Sequence, residues 1–168
     1  NSPDPVGGKF ERDINGTPNG YILATAMNIF RDIIPPKTRE YIKDSLVQGM
    51  YENAKVGWTN TQDAGMPYVN VEIVKEIHAE GNMSTRIYAA ANVMEASTML
   101  KRGRETTADN MFDLRGLKVY IDGTLGSRGA ALLENYADAD HKGFMNRTTK
   151  QALDPILRAA LRKGIQVE

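Results

Sequence analysis

Apolar residues recur along this chain at two spacings, and the alternation between them lays out its elements. Ile42, Leu46, Met50 and Ala54 fall every four residues and predict a helix over 37–55, stopped by Gly57. Val69, Ile73, Val74 and Ile77 predict a second over 69–80, closed by Gly81-Asn82. Leu153, Ile156, Leu157, Ala160 and Leu161 predict another over 149–163, ahead of Gly164. Strands are expected at 58–64, 85–93 and 117–121, and Ile165 opens a fourth. A short helix over 95–101 and a polar loop over 103–113 precede the third strand. An irregular stretch, 123–147, follows it.

Helix and strand thus alternate three times, the pattern of a parallel sheet with crossover helices. Two α/β architectures share it: a doubly wound sheet, or part of a (β/α)8 TIM barrel. Four strands do not close such a barrel, so the second option requires further chain. The first segment, 1–22, reads differently. Residues 9–13 and 17–22 flank Asn15-Gly16, a pair that favours the positive φ angles of a tight turn, and predict a β-hairpin. A short helix over 23–30 should end before Pro35-Pro36, because the residue before a proline is pushed out of helical angles. Residues 23–168 then form the α/β part. The chain opens on Asn1 and closes on Ile165-Gln166-Val167-Glu168, a strand just beginning, so a fragment of a longer polypeptide is expected.

Composition narrows the function classes. The 168 residues carry 21 basic and 21 acidic side chains with no long basic run, which speaks against nucleic acid as a partner. No apolar run approaches the roughly 20 residues of a membrane helix, and no signal peptide is visible. Cysteine is absent, which removes disulfides, thiolate catalysis and Cys-based zinc sites together. The compartment, cytoplasmic or exported, stays unknown.

Candidate chemistry concentrates after residue 116. In Leu117-Lys118-Val119-Tyr120-Ile121-Asp122, side chains alternate across the strand. Leu117, Val119 and Ile121 would pack on helices while Lys118, Tyr120 and Asp122 face the other way. A parallel sheet covered on both faces should be apolar on both. A face bearing Lys, Tyr and Asp therefore suits either a barrel interior near its mouth or a solvated edge strand. The loop Asp122-Gly123-Thr124-Leu125-Gly126-Ser127-Arg128-Gly129 lies at the carboxyl end of that strand, where α/β enzymes keep their sites, but it matches neither GxGxxG nor a Walker pattern. Gln62-Asp63-Ala64-Gly65 delivers polar groups to another carboxyl end, where Asp63 could equally cap a turn. The two histidines, His78 and His141, have no metal-ligand spacing and read as structural or surface residues. Asp138 and Asp140 lack the spacing and final glutamate of a calcium loop.

Residues 118–128, Lys-Val-Tyr-Ile-Asp-Gly-Thr-Leu-Gly-Ser-Arg, followed by Ala130 through Asp138 and Gly143, resemble the YtcJ-like ("amidohydrolase 3") branch of the amidohydrolase superfamily, which includes N-substituted formamide deformylases. Thr61-Gln62-Asp63-Ala64-Gly65 is similar to that branch's His-Asp-Ala-Gly motif, with Gln62 in place of the histidine. Gly81 with Arg86-Ile87-Tyr88 resembles its third strand, and Asp4 through Gly20 its hairpin. The likeness runs over nearly the whole chain and is most specific around Lys118.

The resemblance implies the barrel option, with this chain as about strands two to four, their crossover helices and the start of strand five. It implies a metal-dependent hydrolase acting on an amide-like C–N bond of a small molecule through metal-activated water. The divalent ions, zinc by expectation, would be held by a His-x-His on strand one, a lysine on strand four, histidines on strands five and six, and an aspartate on strand eight. Lys118 matches the strand-four lysine, which can become a bridging carbamate. Asp122, Ser127, Arg128 and Gln62 become candidate substrate-binding residues. The other ligands would lie outside Asn1–Glu168, so no catalytic set is complete and the fragment alone is expected to be inactive. A non-catalytic regulatory or binding relative is the alternative, to which Gln62 lends support. An incomplete barrel exposes apolar faces, which predicts association, including homo-oligomers.

Overall fold

The computed structural model describes residues 3–5, 8–31, 33–143 and 150–168, in two units, Asn1–Thr38 and Arg39–Glu168. In the first, β1 (Gly8–Arg12) and β2 (Pro18–Ala24) pair antiparallel. Asp13 builds the turn: its Oδ1 accepts from the amides of Asn15 and Thr17, each at 2.9 Å, and Gly16 takes φ +78°. A 3-10 turn (Thr25–Met27) and one turn of helix, α1 (Asn28–Arg31), follow.

The second unit is a mixed α/β layer. Its parallel strands run in the order β3 (Asn60–Met66), β4 (Arg86–Asn92), β6 (Phe112–Lys118), β7 (Gln166–Val167). The two-residue β5 (Glu105–Thr106) pairs antiparallel with the first half of β6, on the edge whose second half takes β7. Helix α3 (Tyr68–Ala79) connects β3 to β4, α4 (Ala96–Arg102) lies between β4 and β5, and α5 (Lys150–Arg162) precedes β7. Helix α2 (Arg39–Lys55) leads into β3. The third strand differs from expectation: it begins at Phe112, inside the segment read as loop, and ends at Lys118. Ile121 lies beyond it and is exposed.

One face of this sheet meets the helices. Met66, Ile87, Ala89, Ala91, Phe112, Leu114 and Leu117 form one cluster with Met50 of α2, Val71, Ile73, Val74 and Ile77 of α3, Met99 of α4 and Ala160 of α5. The helical spacing located most of this stripe. Val69 and Leu161 are exposed instead, Ala54, Leu153 and Leu157 do not join the cluster, and Val71, outside the expected stripe, is buried. The opposite face carries Gln62, Tyr88, Ala90, Gly116 and Lys118, none of which joins the cluster.

Two irregularities set the register. Pairing steps from Ala89↔Leu114 to Ala90↔Gly116, so Arg115 is an extra residue in β6. The bulge shifts the strand's parity: Phe112 and Leu114 face the helices before it, Leu117 after it. Gly65 is the equivalent extra residue in β3, at φ +139°, a region that favours glycine. Helix α3 starts on Pro67, which supplies no amide to satisfy, and Glu95 accepts from the Tyr68 amide at 3.0 Å. It ends where Gly81 takes φ +74° and the Asn82 amide donates to the Ile77 carbonyl at 3.0 Å.

Charge ties α2 to α3. Lys43 Nζ lies 2.6 Å from both Glu76 and Glu80, and Arg39 also meets Glu76. Hydrogen bonds from Lys43 first, then Arg39, draw the Glu76 carboxyl down to about 2. A carboxylate with a depressed folded value adds stability above its unfolded value and loses it as pH falls toward the folded one. Acid should therefore weaken the α2–α3 contact between about pH 4.5 and about pH 2. Urea midpoints recorded against pH should fall over that window, and Glu76→Gln should flatten the fall. An unchanged slope in that variant would assign the acid sensitivity elsewhere. Among the described residues, no helix is long and apolar enough to cross a membrane.

Candidate functional site

The carboxyl ends of β3, β4 and β6 lie side by side, because the strands are parallel and in register. Lys118 is the last residue of β6 and sits opposite Asn92, the last of β4. It is half-buried on the face away from the helices, as its alternation with Leu117 and Val119 requires. Its Nζ lies 5.1 Å from the centre of the Tyr120 ring, a cation–π distance. The Tyr120 hydroxyl reaches across to the carboxyl end of β3 and donates a long, 3.4 Å hydrogen bond to the Ala64 carbonyl. No ion pair of Lys118 occurs among the described residues.

The loop after β6 is held by its own side chains. Asp122 Oδ2 accepts from the Ala131 amide at 2.9 Å, and Ser127 Oγ donates to the Thr124 carbonyl at 3.2 Å. Arg128 makes a two-pronged pair with Asp138, Nε to Oδ1 at 2.9 Å and a terminal nitrogen to Oδ2 at 2.7 Å. That pair lowers the Asp138 carboxyl and raises Arg128. It also anchors a non-glycine residue in the left-handed region, since Arg128 has φ +55°. Tyr136 donates from its hydroxyl to the Ala130 carbonyl at 2.7 Å. Two glycines are required by contact: a methyl group at Gly123 would lie 2.9 Å from the Gly129 backbone, and one at Gly143 would overlap the Ala130 carbonyl. Asp122, Ser127 and Arg128 are thus brought into one loop directly downstream of Lys118, each with a partner inside that loop.

Gln62 lies elsewhere. Its Nε2 donates to Glu168 Oε1 at 2.8 Å, over the open face of the sheet. It also lines a cleft of about 410 Å³ with Asn60, Tyr88, Asn110, Asp113 and Gln166, toward the amino ends of the strands and apart from the loop. Burial first, then the Glu168 carboxylate, raises the Tyr88 phenol. Asp63 is in register with Ala89 and so faces the helix side, where burial raises its carboxyl. Glu168 and Tyr136 were missed in the sequence. Tyr136 lay inside a recognised motif, whereas nothing local marks Glu168.

The donor set is small. His78 pairs with Asp109 at 2.9 Å, and His141 Nδ1 accepts from the Gly143 amide at 3.1 Å. Neither imidazole joins Lys118, and no group of three His, Cys, Asp or Glu side chains among the described residues is placed to hold a metal ion. The residues described here do not by themselves fit a metal.

The sequence profile of the amidohydrolase family matches residues 1–168, and the chain belongs to that family. It is 23% identical over 170 residues to the putative amidohydrolase YtcJ of Bacillus subtilis, covering 99% of this chain and 32% of that protein. It is 26% identical over 132 residues to an N-substituted formamide deformylase of Arthrobacter pascens, covering 72% of this chain and 24% of that one. The chain thus spans about a third or less of these relatives. In fold it is similar to a crystal structure of an uncharacterized metal-dependent hydrolase from Pyrococcus furiosus, with a TM-score of 0.71 and 20% identity over 93% of this chain and 33% of that one.

Proposed function

We propose that this chain is the central part of a metal-dependent hydrolase that cleaves an amide-like C–N bond, in which the parallel sheet is one stretch of a (β/α)8 barrel. Family membership supports the hydrolase class, and the formamide deformylase relative supports the bond type. The observation that carries the reading is Lys118: an amine without an ion-pair partner among the described residues, at the carboxyl end of a parallel strand, beside a loop braced on itself. α/β enzymes place their chemistry at that end because strand ends and loops converge there.

In this reading Lys118, as a carbamate, would be the ligand that the described residues offer to a divalent, zinc-type centre, which would supply the activated water. One ligand does not hold an ion, so the chain by itself is proposed to be inactive. Asp122, Ser127 and Arg128 serve the site by fixing the loop that would flank a small substrate. Gln62 serves it through Glu168.

The test uses the full-length gene product. Divalent metal should co-purify with it, and a panel of N-substituted formamides and related amides should include a substrate. Dialysis against a chelator should remove both metal and hydrolysis, and zinc should restore them. Hydrolysis that persists unchanged in metal-free protein would end the metal-dependent reading.

A further inference from the structure

Lys118 has an acidic neighbour that it does not meet. The Glu168 amide donates to the Leu117 carbonyl at 3.0 Å, and the Val119 amide donates to the Glu168 carbonyl at 2.8 Å. These two bonds bracket Lys118, so the lysine and the glutamate are in-register neighbours on adjacent parallel strands. Both side chains project from the face away from the helices. Strands in a sheet lie about 4.8 Å apart, and opposite charges so placed ordinarily pair.

Here the two side chains diverge. The Lys118 amine lies over the Tyr120 ring. The Glu168 carboxylate turns the other way, over β6 and β4, and accepts from Gln62 Nε2 on β3 at 2.8 Å. The path is open because the strands between present almost no side chain. A methyl group at Gly116 would lie 2.9 Å from Ala90 Cβ and 3.3 Å from Glu168 Oε1. The carboxylate thus occupies the space that a side chain at Gly116 would fill, and Gln62 waits at the far end with a donor.

We infer that Gln62 is a positioning residue: it holds the Glu168 carboxylate across the Gly116–Ala90 gap and so keeps the Lys118 amine free of an ion pair. A hydrogen bond to an ionised carboxylate is strong enough to compete with a partly solvated salt bridge. The value of a free amine to catalysis rests on the role proposed for Lys118. The divergence of the two side chains does not.

Zero-length carbodiimide coupling reads the arrangement directly, because it joins a lysine to a carboxylate only when the two meet. The Lys43–Glu76 pair, at 2.6 Å, serves as the internal standard and reports that α2 and α3 are packed. In the full-length wild-type protein, freed of metal by dialysis against a chelator, tandem mass spectrometry should find the Lys43–Glu76 isopeptide and little joining Lys118 to the Glu168 side chain. Gln62→Met keeps length and removes the donor. It should raise the Lys118–Glu168 product relative to the standard about tenfold, the scale of losing a hydrogen bond to a charged group. Gly116→Ala should raise it independently by filling the gap, and Gln62→Met/Glu168→Gln should abolish it. A ratio that stays at the wild-type value in both single variants, with the standard intact, overturns the inference. Removing the metal frees the Lys118 amine whatever it binds in the intact enzyme, so the coupling yield stands or fails separately from hydrolysis.

Discussion

Lys118→Met in the full-length protein is expected to lower hydrolysis more than about a hundredfold while leaving the unfolding midpoint of the metal-free protein almost unchanged. Residues that merely support a metal ligand already cost roughly 10- to 100-fold when removed, so loss of a ligand lies above that range. Methionine is close to lysine in length and flexibility, and its sulfur makes favourable contacts with aromatic rings. It can therefore lie along Tyr120 where the lysine lies now. The stability at stake is the cation–π contact, about 0.5–1 kcal/mol at a partly exposed site. The two outcomes separate cleanly. If Lys118 does no more than dress the Tyr120 ring, the variant keeps its activity, and a fully active Lys118→Met protein would remove this residue from the site.

Phe112→Ala should do the opposite, costing stability first and activity only as a consequence. Phe112 is 1% exposed and lies in the cluster that joins the sheet to its helices. Truncating a buried phenylalanine costs about 3–5 kcal/mol, partly lost transfer energy and partly the cavity left behind. That is a large share of the roughly 5–15 kcal/mol by which a domain is stable. Urea unfolding should show a clear drop in midpoint at an unchanged slope. Leu161→Ala, at a residue 71% exposed, should stay within about 0.5 kcal/mol and serves as the surface reference. A Phe112→Ala midpoint equal to that reference would mean that β6 is not seated as described.

The contrast between Phe112 and Lys118 also shows where local pattern stops being informative. Leu117, Lys118 and Val119 alternate cleanly, and the alternation alone placed the lysine on the face away from the helices. Five residues earlier, Phe112 and Leu114 alternate with Asp113 and Arg115, and the charges made the segment read as polar loop. It is a strand because β4 pairs with it along one edge and β5 along the other. The bulge at Arg115 hides the continuity further, since it shifts the inward positions from even to odd. A period-2 reading sees two unrelated halves.

Much of the fold was legible for a simple reason. Helical stripes such as Ile42, Leu46 and Met50, and stops such as Gly57, Gly81 and Gly164, report solvent and backbone angle, both of which act within a few residues. The motif from Lys118 to Arg128 was equally local, and it located the family and the loop. What its residues do inside the loop was decided by folding. Arg128 is anchored by Asp138, ten residues on, and Asp122 is spent on the Ala131 amide. Farther still, the bond between Gln62 and Glu168 spans 106 residues of sequence and depends on a side chain that Gly116 lacks. The sequence by itself determined the order of helices and strands and the side of its strand on which Lys118 stands. Only the tertiary structure decided that this lysine would stand beside the Glu168 carboxylate without meeting it, because register and vacant space between strands exist only once the sheet has formed.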